Sequence, residues 1–229
     1  MKIEFLEKWE EIIPYMKSIV EETPFNFEEL QITHNLCKGC NWSGFVNTLS
    51  HDSILKKKIV KLKNKRIFLR KYYSYSIPNY EAIYYIASIT NNIIDIGSGK
   101  GYWIHLLKKF GLNTMAFDPI PITKNNYILG KTFFQETIKS FSDIKNILKM
   151  SHHQSLLLQW IPPSRESVDY FIEIINRYKG SNIFFSGLNK YCATKDFFIY
   201  LNNNYKIISS IILPRFIGII DTLYHLKKR

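Results

Sequence analysis

An α/β fold follows from three observations. Strand–helix alternation begins at Asn92, a glycine-rich turn lies between the first such strand and its helix, and the chain closes on two apolar runs. The expected architecture is a Rossmann-like sheet, mostly parallel, ending in an antiparallel hairpin and preceded by a helical extension. A chain of 229 residues, 46% of them hydrophobic, suits one such domain with an extension. The expected division is a helical, basic extension over 1–78 and the α/β domain over 79–229.

Residues 1–90 read as helical and hold no obvious parallel strand. Glu4 to Glu22 has apolar positions at helical spacing, and Pro14 ends or kinks that first helix. Thr23-Pro24 marks a break. His34, Cys37, Cys40 and His51 have some of the spacing of a zinc site, but only one cysteine pair exists, so ordinary thiols are the favoured reading and no metal is assigned. Nine basic residues and no acid lie between Lys56 and Lys71, among them Lys65, Arg66, Arg70 and Lys71. Aromatic residues follow at once, including Tyr73 and Tyr75. Such cations release counterions from phosphates, and aromatic faces stack on unpaired bases. The competing reading is a solvated helix face.

Asn79 to Thr90 is the helix leading into the sheet, with Pro78 near its start. Strands are expected at 93–97, 113–117, 155–160 and 182–186, and helices at 102–110, 143–150, 166–178 and 194–203. The stretch 127–142 has no clear period and should supply the third strand. Tyr205 to Leu213 and Phe216 to Leu226, separated by Pro214-Arg215, form the expected hairpin.

The turn between the first strand and helix reads Asp95-Ile96-Gly97-Ser98-Gly99-Lys100-Gly101. Glycines let the backbone approach a ligand closely, and the following helix start offers unpaired N–H groups. The next strand ends in Asp118, where a doubly wound sheet presents a carboxylate to ribose hydroxyls. The order Asp-x-Gly-x-Gly-x-Gly resembles the first motif of class I S-adenosylmethionine (SAM) dependent methyltransferases more than the Gly-x-Gly-x-x-Gly of nicotinamide enzymes. That resemblance implies SAM as cofactor, held by Asp95, Gly97, Ser98, Gly99, Gly101, Tyr102, Trp103, Asp118 and Pro119.

The fourth strand runs into Gln159-Trp160-Ile161-Pro162-Pro163, where ligands of open α/β sheets bind. These five residues resemble the Asp/Asn/Ser-Pro-Pro-aromatic motif of amino methyltransferases acting on adenine N6 or cytosine N4. Ile161 occupies the polar position and Ser164 the aromatic one, so Gln159 and Trp160 are expected to supply the acceptor and the stacking face. The stretch 72–210 also resembles a group of class I methyltransferases, of unassigned substrate, with a Gly-Tyr-Trp glycine loop and a Leu-x-x-Trp-Pro-Pro-Tyr loop. Here Ile161 interrupts that second loop, and Gly187-Leu188 replaces the group's Gly-Glu. The missing aspartate in the strand-four loop counts against ribose methylation of RNA.

The formal charge of +12 suggests an anionic partner, nucleic acid foremost, although part of the lysine excess fits a codon bias like that of some large DNA viruses and parasites. Three cysteines give no disulfide framework, and no signal-peptide profile or long apolar span is evident, so an intracellular, cytoplasmic protein is expected. The expected function is N-methylation of a nucleic-acid base, RNA favoured over DNA and a cap-adjacent adenosine included. Tyr73, Tyr75, Lys65, Arg66, Arg70 and Lys71 would hold the acceptor. The alternatives are methylation of a small molecule or protein, and a binding subunit that turns nothing over. A protein partner subunit could complete the site.

Overall fold

The computed structural model describes residues 70, 73–118, 138–139, 144, 148, 152–187, 192–213 and 221–229. The expected extension, the lysine run, Pro119 and the His34, Cys37, Cys40, His51 set therefore lie outside the described residues, apart from Arg70 and 73–78.

Helix α1 (Tyr80–Ile89) starts at Asn79, whose side chain accepts from the Ala82 N–H at 3.0 Å. That bond satisfies one of the orphan donors of a helix start. The chain then runs through β1 (Asn92–Ile96), α2 (Tyr102–Lys109), β2 (Asn113–Phe117), the two-residue β3 (Ile138–Lys139) and β4 (Ser155–Gln159). It closes with α3 (Arg165–Arg177), β5 (Asn182–Gly187), α4 (Lys195–Asn204), β6 (Tyr205–Ile212) and β7 (Thr222–Lys228). The second hairpin strand begins at Thr222, six residues later than the apolar run suggests.

The sheet has seven strands in the order β3-β2-β1-β4-β5-β7-β6. All pairs among β1 to β5 are parallel, and β7 inserts antiparallel between β5 and β6. This is the Rossmann-like sheet with a C-terminal hairpin expected from the sequence. Strand order reverses between β1 and β4, and ligands of such sheets bind outside the carboxyl ends at that point.

Successive side chains alternate between two buried layers. Ile93, Leu157, Phe184 and Leu223 face the layer that includes α1 and α2, while Ile94, Ile96, Leu156, Leu158, Ile183 and Phe185 face α3 and α4. Coverage of both faces explains why β4 reads as a continuous apolar run, Leu156-Leu157-Leu158, with every residue buried. The segment before α1 belongs to the same core. Ile77 is 4% exposed, and the Ser76 carbonyl accepts the Trp103 indole N–H at 2.7 Å. At the outer edge β6 carries a register irregularity between Ile207 and Ser209, a feature that blunts edge-to-edge pairing. No helix among the described residues is long and apolar enough to cross a membrane.

Candidate functional site

Register places one row of polar residues at the carboxyl ends of the central strands. Asp95 pairs with Leu157, Leu157 with Phe184, and Gln159 with Ser186. Paired residues in a sheet point to the same face, so Asp95, Gln159 and Ser186 all lie on the α1/α2 side. These polar side chains stand where the apolar layer stops.

Asp95 is fully buried. Its Oδ2 accepts from the Gln159 amide Nε2 at 2.7 Å, while its Oδ1 finds no partner among the described residues. Burial is the main cause pushing the Asp95 carboxyl well above the usual carboxylate range; the nearby Asp118 carboxylate adds to the rise, and the Gln159 bond partly offsets it. Leaving a buried acceptor unmade costs about 1–3 kcal/mol.

The glycine turn explains itself position by position. Gly97, Gly99 and Gly101 have φ of +77°, +56° and +72°, a region that glycine enters without a steric cost. A Cβ on Gly97 would stand 3.1 Å from the Phe171 ring, so this glycine lets α3 pack against the turn. A Cβ on Gly99 would meet nothing within 4 Å. Open space lies there, while the backbone N–H of Gly99 donates to Asp118 Oδ2 at 2.8 Å. The Gly97 and Ser98 N–H groups both donate to the Phe117 carbonyl, at 2.8 and 3.1 Å, tying the turn to the end of β2. Asp118 is thus held beside the turn, as its sequence position implied.

Two residues assigned to the cofactor prove to be core. Trp103 is fully buried and Tyr102 is 2% exposed, both packed with α1 and the sheet. Their place directly after the glycines invited the assignment, but helix α2 buries five of its eight residues, and these two point inward. The Ile161 side chain is likewise fully buried, in the opposite core layer, so it presents nothing to an acceptor. Only Pro162 and Pro163 of that loop are exposed. Gln159 does not present a free amide either: its Nε2 serves Asp95, and its Oε1 accepts from the Ser74 hydroxyl at 3.4 Å.

Trp160 is the constrained residue of the strand-four loop. Its φ is +40°, a conformation that costs a non-glycine residue about 1–3 kcal/mol. Its N–H donates to the Ser186 carbonyl at 2.9 Å, and the next residue's carbonyl, Ile161, accepts from the Ala193 N–H at 2.7 Å. The indole N–H donates to Asp221 Oδ1 at 3.1 Å, and the Tyr75 ring lies 5.4 Å away at 36°. Arg70 places its guanidinium 5.2 Å from the other partner, the Tyr75 ring. Tyr73 contacts Tyr102 edge-on at 5.2 Å. Asp221, Ser74 and Ser186 were not singled out from the sequence. Asp221 had left a signal, as the lone acid within the apolar run from Phe216 to Leu226.

No protein-family model and no curated protein matches the chain. Among solved structures, TrmK of M. capricolum, with S-adenosyl-homocysteine, is 18% identical over 66% of this chain and 69% of its own, with a TM-score of 0.41. A putative tRNA methyltransferase of Streptococcus pneumoniae is 12% identical over 66% of this chain and 71% of its own, with a TM-score of 0.44. Magnesium protoporphyrin IX methyltransferase of Synechocystis, with bound SAM, is 11% identical over 88% of this chain and 91% of its own, with a TM-score of 0.45.

Proposed function

We propose that the carboxyl end of the sheet binds S-adenosylmethionine and that the protein transfers its methyl group to a base amine in nucleic acid. The Oδ1 of buried Asp95, without a partner among the described residues and near Asp118 and the open Gly99 turn, is the observation that carries this reading. The residues fit the cofactor: Asp118 suits ribose hydroxyls, Gly99 leaves room for close approach, and Asp95 suits a cationic amino group. When bound, SAM supplies a methyl group on a sulfonium, electrophilic enough for direct attack by an amine.

The protein's own task is then alignment and exclusion of water. Gln159 holds Asp95 in place and links it to Ser74. Trp160, Pro162 and Pro163 border the acceptor, with Tyr75 against the indole. An adenine N6 amine in RNA, cap-adjacent or internal, or in DNA is the favoured acceptor. The support is the Pro-Pro loop after β4, with Lys65, Arg66, Arg70 and Lys71 contributing charge for the backbone. The basic stretch to residue 78 acts as the acceptor-binding part and 79–229 as the transferase.

A second reading has its own observation. Asp95, Asp118 and Asp221 are all buried at this end of the sheet, which suits a small cationic acceptor in place of a polyanion. Transfer of labelled methyl from SAM to capped RNA, uncapped RNA, DNA, protein and small metabolites separates the two, with Asp118→Ala beside the wild type. Label recovered as N6-methyladenosine, and lost in the variant, supports the nucleic-acid reading. Label confined to metabolites or protein refutes it. SAM binding without transfer to anything refutes catalysis by this chain alone.

A further inference from the structure

The strand-four loop and the segment before α1 also meet through Trp160 and Tyr75, whose rings lie 5.4 Å apart. Trp160 keeps a left-handed backbone although it is not glycine. Conformations of this kind persist where surrounding contacts over-determine them, and they cluster at functional sites. Three contacts do so here: the backbone bond to the Ser186 carbonyl, the indole bond to Asp221 and the Tyr75 ring. Asp221 is fully buried, and its bond from the indole N–H fixes the plane of the ring.

We propose that Arg70, Tyr75 and Trp160, with Asp221 as the positioning residue, form a stacking platform for one unpaired nucleobase of a single-stranded nucleic acid. The inference rests on the nucleic-acid reading above and narrows it to an unpaired context.

The charge on the platform selects this occupant. An aromatic pair near a carboxylate could hold a cationic amine by cation–π attraction. The Arg70 guanidinium, 5.2 Å from the Tyr75 ring, already supplies that cation and repels a second one. What remains favourable is a neutral π-face attached to an anionic backbone. Tyr75 is half-buried and Arg70 is exposed, so Tyr75 ring surface and the guanidinium both remain within reach of a ligand. A base within a duplex has both faces covered by its neighbours, so the platform would act only on a base outside the stack.

The test uses the full chain and labelled ten-nucleotide strands of oligoadenylate, as RNA and as DNA, with the matching duplexes. Binding is read by anisotropy and by tryptophan fluorescence in saturating S-adenosylhomocysteine. The wild type should prefer single strands to duplex, and replacing single adenosines by abasic sites should cost about tenfold at one position. Tyr75→Ala and Asp221→Ala should weaken single-strand binding about tenfold, and Asp221→Asn, which still accepts the indole bond, should restore most of it. Affinity for S-adenosylhomocysteine should stay within about twofold in each variant, which also controls for folding. The RNA and DNA arms decide which sugar is tolerated. Single-strand binding indifferent to abasic sites and to Tyr75→Ala would overturn the platform and leave the methyltransferase reading standing. No binding to any strand would overturn the platform and the nucleic-acid acceptor together.

Discussion

Gly97 and Gly99 sit two residues apart in one turn, yet the structure gives them different roles, and alanine at each should fail differently. Both have a left-handed φ, +77° and +56°. Either alanine therefore carries a backbone penalty of roughly 1–2 kcal/mol. At Gly97 the added methyl also stands 3.1 Å from the Phe171 ring, and overpacking of that kind adds roughly 1 kcal/mol or more. At Gly99 the methyl enters open space, so stability loses only the backbone contribution. For a domain of this size about 1 kcal/mol lowers Tm by about 2–4 °C. Thermal unfolding of ligand-free protein should thus show Gly99→Ala falling by about 2–8 °C and Gly97→Ala falling several degrees further. Calorimetric titration should reverse the order. Gly99→Ala puts a methyl into the open space at the turn and should weaken S-adenosylhomocysteine binding about tenfold or more, while Gly97→Ala, whose methyl points at α3, should lose less. The reasoning fails if Gly99→Ala binds as tightly as wild type, or if Gly97→Ala is no less stable than Gly99→Ala.

Other perturbations follow from the same contacts. Trp103→Phe removes the bond to the Ser76 carbonyl and part of a fully buried side chain, and should cost about 2–3 kcal/mol in denaturant unfolding without changing the acceptor specificity. Asp95→Asn should raise the stability of the ligand-free protein at neutral pH, because a buried carboxyl that resists ionisation destabilises the fold there, and should weaken SAM binding; a variant less stable than wild type would contradict this. His225 is buried between Tyr85, whose hydroxyl lies 2.9 Å from Nδ1, and Asn182, whose Oδ1 lies 3.0 Å from Nε2. Burial first, and the Lys227 ammonium second, hold its imidazole below the usual value of 6.5. The unfolded chain then binds more protons than the native one, so stability should fall as pH drops below about 6.5, and His225→Gln should flatten that slope in a pH series of melts.

Much of this architecture was legible because the period of the sequence is strong where the sheet is central. Asn113–Phe117 coincides with the expected strand, and β1, β4 and β5 agree to within a residue at each end. β3 left almost no signal, since Ile138–Lys139 is a two-residue edge strand, too short for alternation to register. The glycine turn and Asp118 were readable because backbone conformation and a strand-end acid are local properties. Side-chain direction was not. Tyr102 and Trp103 follow the glycines in sequence but turn into the core, and Ile161 does the same within a loop expected to face the acceptor. The Trp160–Asp221 bond spans 61 positions and joins two loops, so no local pattern announces it. The Ser74–Gln159–Asp95 chain is equally non-local, connecting the segment before α1 to two strand ends.

Titration of SAM and of S-adenosylhomocysteine into the wild-type chain, beside Asp118→Ala, tests the central claim most directly. The account predicts one site per chain for both ligands, with binding abolished in a variant that still melts cooperatively. A cooperatively folded wild type that takes up neither ligand, or an Asp118→Ala variant that binds both as tightly as wild type, would contradict it.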